Sequence, residues 1–138
     1  MKIIAHRALL AGPNKEKENH PDSIKTAISF GLDVEIDMWY NNKKWILGHD
    51  APQYEISFSA INFNNFWIHA KNVEALYELS NVKYLNVAGY FWHQEDNFAL
   101  TNTGYIWTYP NQSLTKNSIR SEEHTSELQS RFGISYAV

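Results

Sequence analysis

Short apolar segments that are typical of strands alternate along this chain with segments of helical periodicity. Residues 2–7 form an apolar run suited to a buried strand. Residues 21–31 predict a helix, because Pro opens the segment, apolar residues recur at helical spacing and Gly ends it. Residues 33–40 then alternate strictly, and the polar residues 41–44 predict a hairpin-like turn into a strand over residues 45–49.

The next part of the pattern predicts a strand, a helix and a second strand. Residues 67–71 are a short apolar run, and Asn72 suits the N-cap of a helix whose apolar residues share one face. Residues 82–93 predict the returning strand, which would run parallel to the first through a right-handed crossover. Residues 104–109 predict one more strand, ended by Pro110. The pattern therefore indicates an α/β architecture with parallel strands.

The composition is that of one folded domain. The 138 residues are 43% hydrophobic and 14% aromatic, which is enough apolar surface for a single core. The chain has a net charge of -3 and therefore lacks the excess of basic residues that nucleic-acid binding needs. We expect no nucleic-acid partner. The absence of Cys excludes a disulfide framework, a thiolate metal site and a Cys nucleophile. With no apolar run long enough for a membrane span and no signal-peptide pattern, we expect a cytoplasmic protein.

The C-terminal segment, residues 120–138, resembles the translation of an adapter used in a common short-read sequencing chemistry. The likeness runs residue by residue, apart from residues 131–133, which would encode a sample index. We therefore expect a native domain over residues 1–119 that is incomplete at its C-terminal side. The tail would then be an artefact and no domain, and its deletion would change stability by less than about 0.5 kcal/mol. The alternative is an ordinary polar C-terminal helix.

Candidate chemistry lies at strand ends and on one strand face. Strand periodicity puts Glu35 and Asp37 on the same face. Burial of two unpaired carboxylates costs several kcal/mol, which a divalent cation would relieve; the alternative is an edge strand whose polar face meets solvent. His6 ends the first strand and His49 ends another. Two imidazoles that flank an oxygen-ligated cation are suited to phosphodiester cleavage.

Four motifs then follow in order along the chain: AHR at residues 5–7, EN at 18–19, VEID at 34–37 and HD at 49–50. This series resembles the glycerophosphodiester phosphodiesterase family, and the likeness to its short bacterial and phage members extends over residues 1–119. The resemblance implies a TIM-barrel relative of the phospholipase C-like phosphodiesterase type. Because the native part is about half of the ~250 residues of a full barrel, we expect an α/β fold that is TIM-barrel-like but reduced, open and truncated at its C-terminal side.

The resemblance also implies metal-dependent hydrolysis of a small glycerophosphodiester-like substrate. The implied catalytic residues are His6, His49 and Arg7; the implied metal ligands are Glu35, Asp37 and Glu18; and the implied substrate contacts are Lys71, His69, Asn19 and Trp107. The implied metal is Ca²⁺ or Mg²⁺, with Mn²⁺ as a further candidate. The ring of Trp107 would stack on a sugar or headgroup, although an aromatic residue on a strand more often belongs to the core.

Two residues depart from the family pattern. Ala8 stands where the family usually has Gly, which crowds a turn near the ligand. His69 stands where the family has a third carboxylate ligand, and imidazole is a poorer match for Ca²⁺ or Mg²⁺, so either the metal differs or it binds weakly. Two alternatives to an active enzyme stay open: a catalytically silent relative that binds a phosphorylated ligand through Arg7 and Lys71, or a nonfunctional truncation product.

Overall fold

A computed structural model describes residues 2–121 together with the backbone of residues 134–137. In this part of the chain ten strands form one sheet, and two α-helices and two short 3-10 turns connect them. The strands are β1 Lys2–Ala5, β2 Asp33–Asn41, β3 Lys44–Leu47, β4 Tyr54–Ile56, β5 Phe66–Ala70, β6 Gly89–Trp92, β7 Phe98–Leu100, β8 Ile106–Thr108, β9 Ser118–Ser121 and β10 Ile134–Ala137. The helices are α1 Pro21–Ser29 and α2 Val73–Asn81, and the 3-10 turns are His6–Ala8 and Phe58–Ala60.

Both α-helices begin at side-chain caps. The ring of His20 accepts a hydrogen bond from the backbone N–H of Asp22 at 3.0 Å, and Pro21 occupies the first position of α1, where a missing N–H costs nothing. Asn72 caps α2 by accepting from the backbone N–H of Ala75 at 3.0 Å. The predicted positions of both helices are confirmed, and each helix buries one face against the sheet.

Four strands run parallel in the centre of the fold. β2 pairs in parallel with both β1 and β5, and β5 pairs in parallel with β6. Helix α1 connects β1 to β2, and α2 connects β5 to β6, as the predicted strand–helix–strand unit requires. β3 and β4 extend β2 as antiparallel hairpin strands. β6 begins only at Gly89, where pairing with Trp67 begins, so the predicted strand over residues 82–93 is too long.

The prediction of a TIM-barrel-like fold, even a reduced and open one, is wrong. A TIM barrel alternates eight strands with eight helices and closes its sheet into a ring. Within residues 2–121, α-helices follow only β1 and β5, while hairpins and turns make the other connections. No ladder joins β6 to β7 or β8 in the described part of the sheet, so the ring does not close. The fold is a small mixed α/β structure made mostly of sheet.

Two apolar clusters lie on opposite faces of the parallel strands. The first packs the helices against the sheet through Val34, Ile36 and Met38 of β2 and the buried residues of α1 and α2. The second joins the other face to the C-terminal strands through Ile4, Trp67, Phe91, Ala99, Trp107 and Ile119. Strand alternation explains this division, because neighbouring residues of one strand point to opposite faces. Glu35 and Asp37 therefore share a face with the second cluster.

Of the C-terminal strands β7 to β10, the sequence predicted only β8, which lies within the strand expected over residues 104–109. β7 pairs with β8 in antiparallel orientation and β8 with β9 in parallel, while β10 lies between β9 and β1 and is antiparallel to both. Four residues of the adapter-like tail thus form a strand of the sheet, Ile134–Ala137. What was expected for residues 122–133 and 138 lies outside the described residues.

Among the helices that the structure describes, none has the length and apolar character to cross a bilayer.

Candidate functional site

One row of side chains crosses the parallel strands at the centre of the site. The register places Asp37 of β2 beside His69 of β5, and His69 beside Phe91 of β6. Glu35 lies two residues before Asp37 and therefore on the same face of β2. Because these strands run in the same direction, the loops that follow them meet at one edge, where open α/β sheets commonly bind ligands.

A cleft of about 650 Å³ contains this row and the strand ends around it. The predicted site residues in its lining are His6, Arg7, Glu35, Asp37, His49, His69, Lys71 and Trp107. The two other predicted residues, Glu18 and Asn19, are buried and bond to residues of the lining. Glu35 and Asp37 are 2% and 1% exposed, so the alternative of a solvent-facing polar strand is wrong for β2.

Asp37 is the most heavily bonded carboxylate of the cleft. Asn19 and His49 donate to its Oδ2 at 2.9 and 3.3 Å, and the Nδ1 of His69 lies 3.0 Å from its Oδ1. Burial alone would raise the pKa of Asp37, but the hydrogen bonds that it accepts from His49 and His69 hold it well below its ordinary value. Asp37 therefore stays ionised and orients both imidazoles.

The hydrogen bonds of His49 assign its tautomer. Its Nδ1–H donates to Asp37, since a carboxylate can only accept. Its Nε2 lies 3.0 Å from the Nη2 of Arg7, and a guanidinium can only donate, so this nitrogen carries an electron pair. His49 is thus a neutral imidazole whose basic nitrogen is held against a cation inside the cleft.

Glu35 and Glu18 surround the other side of Arg7. Glu35 accepts from the backbone N–H of Arg7 at 2.9 Å and lies 3.6 Å from the Nε2 of His6. Glu18 accepts from the Nη1 of Arg7 at 3.1 Å. The structure thus uses Glu18 to balance and aim the guanidinium.

Three donor groups converge on a possible metal position. In the part of the chain that the structure describes, ligand atoms of Glu35, Asp37 and His69 lie within 4.8 Å of one another. Two carboxylates and one imidazole form a donor set that fits a divalent cation. The sequence predicted Glu35 and Asp37 as ligands and Glu18 as a further one. It put His69 at the position of the family's third ligand but counted it among the substrate contacts. The structure instead groups His69 with the carboxylates and Glu18 with Arg7.

The backbone around Arg7 is held in an uncommon conformation. Arg7, Ala8 and Asn19 have positive φ values of 51°, 60° and 57°. This backbone conformation costs roughly 1–3 kcal/mol for each residue other than Gly. It persists where the surrounding contacts fix it, often at functional sites. At Ala8 the turn has the left-handed backbone that Gly adopts at no cost, as the departure from the family pattern suggested. The backbone N–H of Asn19 donates to the carbonyl of Arg7 at 2.9 Å and ties the two segments together.

His49 is positioned by a tight turn after β3. A Cβ atom on Gly48 would overlap the carbonyl oxygen of Ala51, so only Gly fits at this point of the turn. The indole N–H of Trp39 donates to the carbonyl of Gly48 at 2.7 Å, and Trp39 also lines the cleft. Sequence reasoning missed Trp39, although the period of two that joins Glu35 and Asp37 also reaches position 39.

Stacked rings form one wall of the cleft. The ring of His69 stacks on Phe91 with centroids 5.0 Å apart, and Phe91 stacks on Trp107 at 4.8 Å. His93 stacks on Tyr109 at 3.9 Å. Trp107 is only 2% exposed and belongs to the second apolar cluster, so it is a core residue that also lines the cleft. Phe91 was not predicted as a site residue. The signal that could have found it is the alternation along β6, which puts Phe91 on the opposite face from Tyr90 and Trp92.

No protein-family model, curated protein or solved structure matches the chain. The likeness of the four sequence motifs to glycerophosphodiester phosphodiesterases therefore remains a resemblance. What the cleft does has to be inferred from its own residues.

Proposed function

We propose that this protein is a metal-dependent phosphodiester hydrolase that acts on a glycerophosphodiester-like substrate, with His6 and His49 as general acid and base. The observation that carries the proposal is the convergence of both histidines with Arg7 and two buried carboxylates in one cleft. These residues come from separate segments of the chain. Hydrolysis of a phosphodiester needs an acid, a base and positive charge around phosphorus, and all three are present.

Positive charge in the cleft supports a phosphate-bearing substrate. The chain carries a net charge of -3, so an anionic substrate must be bound by local cations rather than by the field of the whole protein. Arg7 and Lys71 both line the cleft. The fork of Arg7 is aimed by Glu18 at 3.1 Å, which leaves this cation oriented before a ligand arrives.

The environments of the two histidines support different roles. His49 is held by Asp37 in the tautomer that presents an electron pair at Nε2, as a general base requires. His6 lies 3.6 Å from the carboxylate of Glu35 and, in the proposal, carries the proton that a general acid gives up. In the proposed reaction His49 removes the proton from the glycerol hydroxyl next to the phosphodiester, and the resulting oxygen attacks phosphorus. His6 then gives its proton to the departing alcohol, which leaves a cyclic phosphate. Water that gives its proton to His6 would open this ring at phosphorus, while His49 returns its proton to the glycerol oxygen that is released.

Arg7 and a metal would stabilise the negative charge that develops on the phosphoryl oxygens during the reaction. Arg7 would contact the phosphoryl oxygens on which negative charge develops. A divalent cation held by Glu35, Asp37 and His69 would supply further stabilisation of that charge. Asn19 keeps Asp37 in place by bonding to both its side chain and its backbone N–H, at 2.9 and 2.8 Å.

Turnover of a small glycerophosphodiester and of an aryl phosphodiester tests the proposal. His6→Ala and His49→Ala should each lower the rate by ~10²–10⁴-fold and leave metal affinity nearly unchanged, since acid–base catalysis contributes on that scale. His20→Asn is the matched control, because it removes an imidazole outside the cleft and keeps an N-cap for α1. Treatment with a chelator should abolish turnover, and Glu35→Gln should weaken metal binding.

Two results would contradict the proposal. Full turnover in both alanine variants would show that the histidines are not the acid and base. A folded wild type that binds inorganic phosphate tightly but turns over neither substrate would identify a silent phosphate-binding relative instead.

A further inference from the structure

We propose that the cation of this cleft is a transition ion of the Zn²⁺ type, bound through the Nδ1 of His69 together with Glu35 and Asp37, and not the Ca²⁺ or Mg²⁺ expected from the sequence. The inference deepens the proposed function, on which it rests for the use of the ion in hydrolysis. Binding of the ion is a separate measurement.

The first support is the burial and spacing of the donors. Ligand atoms of the three side chains lie within 4.8 Å of one another. The side chains of Glu35 and Asp37 are 2% and 1% exposed, and that of His69 is 12% exposed. Donor atoms this close together can share one ion.

The second support is the proton arrangement on His69. Its Nε2 lies 3.2 Å from the backbone carbonyl oxygen of His93, so Nε2 carries the hydrogen and donates it. The other nitrogen, Nδ1, faces the Oδ1 of Asp37 at 3.0 Å, where a proton on Nδ1 bonds to the carboxylate until an ion takes its place. Two electron pairs cannot face each other at that distance without a proton or a cation between them. A histidine that donates one nitrogen to a backbone carbonyl and turns the other towards carboxylates has the arrangement of metal-ligating histidines.

The third support is that the ring of His69 is fixed before any ion arrives. It stacks on Phe91 with centroids 5.0 Å apart and an interplanar angle of 10°, and Phe91 in turn stacks on Trp107. The strand register fixes its distance from Asp37. On Asp37 the bonds from Asn19 and His49 both go to Oδ2, so Oδ1 is the oxygen that faces His69. A donor set whose orientation is fixed in this way favours an ion that accepts its geometry and its ligand types.

The ligand types decide between the ions. Ca²⁺ and Mg²⁺ prefer oxygen ligands, whereas imidazole suits Zn²⁺ and its neighbours in the first transition row. Catalytic zinc sites also hold the ion with three protein donors, nitrogen among them, and keep a further position open. The substitution His69→Asp would convert the set to three carboxylates and should reverse the preference for Zn²⁺ over Mg²⁺ and Ca²⁺.

Calorimetry on the metal-free full chain tests the inference with the chloride salts of Zn²⁺, Mg²⁺ and Ca²⁺. Wild type should bind one Zn²⁺ at least about 100-fold more tightly than Mg²⁺ or Ca²⁺. His69→Asp should lower Zn²⁺ affinity by about 10–100-fold and raise Mg²⁺ affinity, and His20→Asn should change neither. The visible absorption of bound Co²⁺ provides a second readout, which should shift in His69→Asp, and the ¹⁵N resonance of His69 Nδ1 should move when Zn²⁺ is added to wild type.

The outcomes separate this inference from the proposed function. The choice of ion would be overturned if wild type bound Mg²⁺ or Ca²⁺ as tightly as Zn²⁺. It would also be overturned if His69→Asp bound Zn²⁺ as tightly as wild type, or if the Nδ1 resonance did not move when Zn²⁺ was added. Either result would hold even if the protein hydrolyses phosphodiesters. Tight Zn²⁺ binding through His69 without turnover would support the ion and contradict the hydrolase. If His69→Asp fails to fold, the wild-type affinities and the Nδ1 resonance still decide the question.

Discussion

The buried polar groups of this protein are of two kinds, and they divide between two regions. In the region of the parallel strands, the buried polar side chains are charged or bond to charged groups, and their partners lie far away in sequence: Arg7 contacts Glu18 and His49, and Asn19 contacts Asp37. In the C-terminal region, residues 98–121, several buried hydroxyls bond to nearby backbone. Thr108 donates to the carbonyl of Ile106, for example.

This difference indicates which region carries chemistry. A hydroxyl that bonds to its own turn satisfies a backbone group and needs no ligand. A cluster of imidazoles, a guanidinium and carboxylates drawn from distant segments is costly to bury, so its presence in one cleft points to function. The C-terminal region contributes mainly aromatic rings such as Trp107 and Tyr109 to the same cleft, and it covers one face of the parallel strands.

The largest expected effect comes from removing the ring that joins the two regions. Trp107 is 2% exposed and packs on Phe91 and Trp67. Trp107→Ala should lower the free energy of unfolding by about 3–5 kcal/mol, because it leaves a large cavity between the regions. Urea denaturation measures the loss. Leu100→Ala is the control in the same region, since Leu100 is 71% exposed and its truncation should cost less than about 0.5 kcal/mol. Equal losses in both variants would show that Trp107 does not couple the regions.

A smaller loss is expected from deleting residues 122–138. This deletion removes β10, which pairs with β1 over four positions and with β9 over three, and it leaves both neighbours with exposed edges. With a net value of about 0.5–1.5 kcal/mol for each backbone hydrogen bond, we expect a loss of at least about 2 kcal/mol in urea denaturation. Ser135→Pro, which removes one N–H of β10, should show part of the same loss.

The deletion also tests the likeness of this segment to a translated adapter. A change below about 0.5 kcal/mol would support the interpretation that the segment is an artefact and that the pairing of β10 contributes nothing. In that case the C-terminal region, residues 98–121, would hold its place without β10, and the comparison of the two regions would not depend on that strand.

The sequence predicted the parallel region better than the C-terminal one for a physical reason. β2 extends over Asp33–Asn41, long enough for its alternation to place Glu35 and Asp37 on one face. In the C-terminal region β8 lies within the strand predicted over residues 104–109, but β7 was not predicted, because three residues are too few for a period of two to be recognised. The barrel prediction was wrong because it came from motif likeness, and the motifs lie at strand ends, which do not determine how many helices connect the strands.

The same limit applies inside the site. The motifs placed His6, Arg7 and His49 in the cleft, because each follows a strand whose end reaches the same edge. They did not place His69 next to Asp37, which depends on the register between β2 and β5. Register is set by pairing over the whole strand and cannot be obtained from one strand alone.

Two asparagines test whether buried long-range bonds matter more than exposed ones. Asn19 is fully buried and makes two hydrogen bonds with Asp37, so Asn19→Ala should cost about 1–3 kcal/mol and weaken metal binding. Asn102 accepts from the backbone N–H of Tyr90 at 2.7 Å but is exposed, so Asn102→Ala should cost less than about 1 kcal/mol. Urea denaturation of both variants, with calorimetry of the metal, gives the comparison. Similar losses would contradict the distinction between the regions.

The smallest expected effect is a gain in stability from relieving backbone strain in two turns. Lys43 has a φ of 63° in the two-residue turn between β2 and β3, and Asn111 has a φ of 66° after β8. Gly adopts positive φ freely and is preferred in such turns, so Lys43→Gly should raise the free energy of unfolding by about 0.5–1 kcal/mol. Asn tolerates this conformation better than Lys does, so Asn111→Gly should gain less than about 0.5 kcal/mol. Urea denaturation can resolve the difference, and a larger gain at Asn111 than at Lys43 would show that the C-terminal region stores the greater strain in its turns.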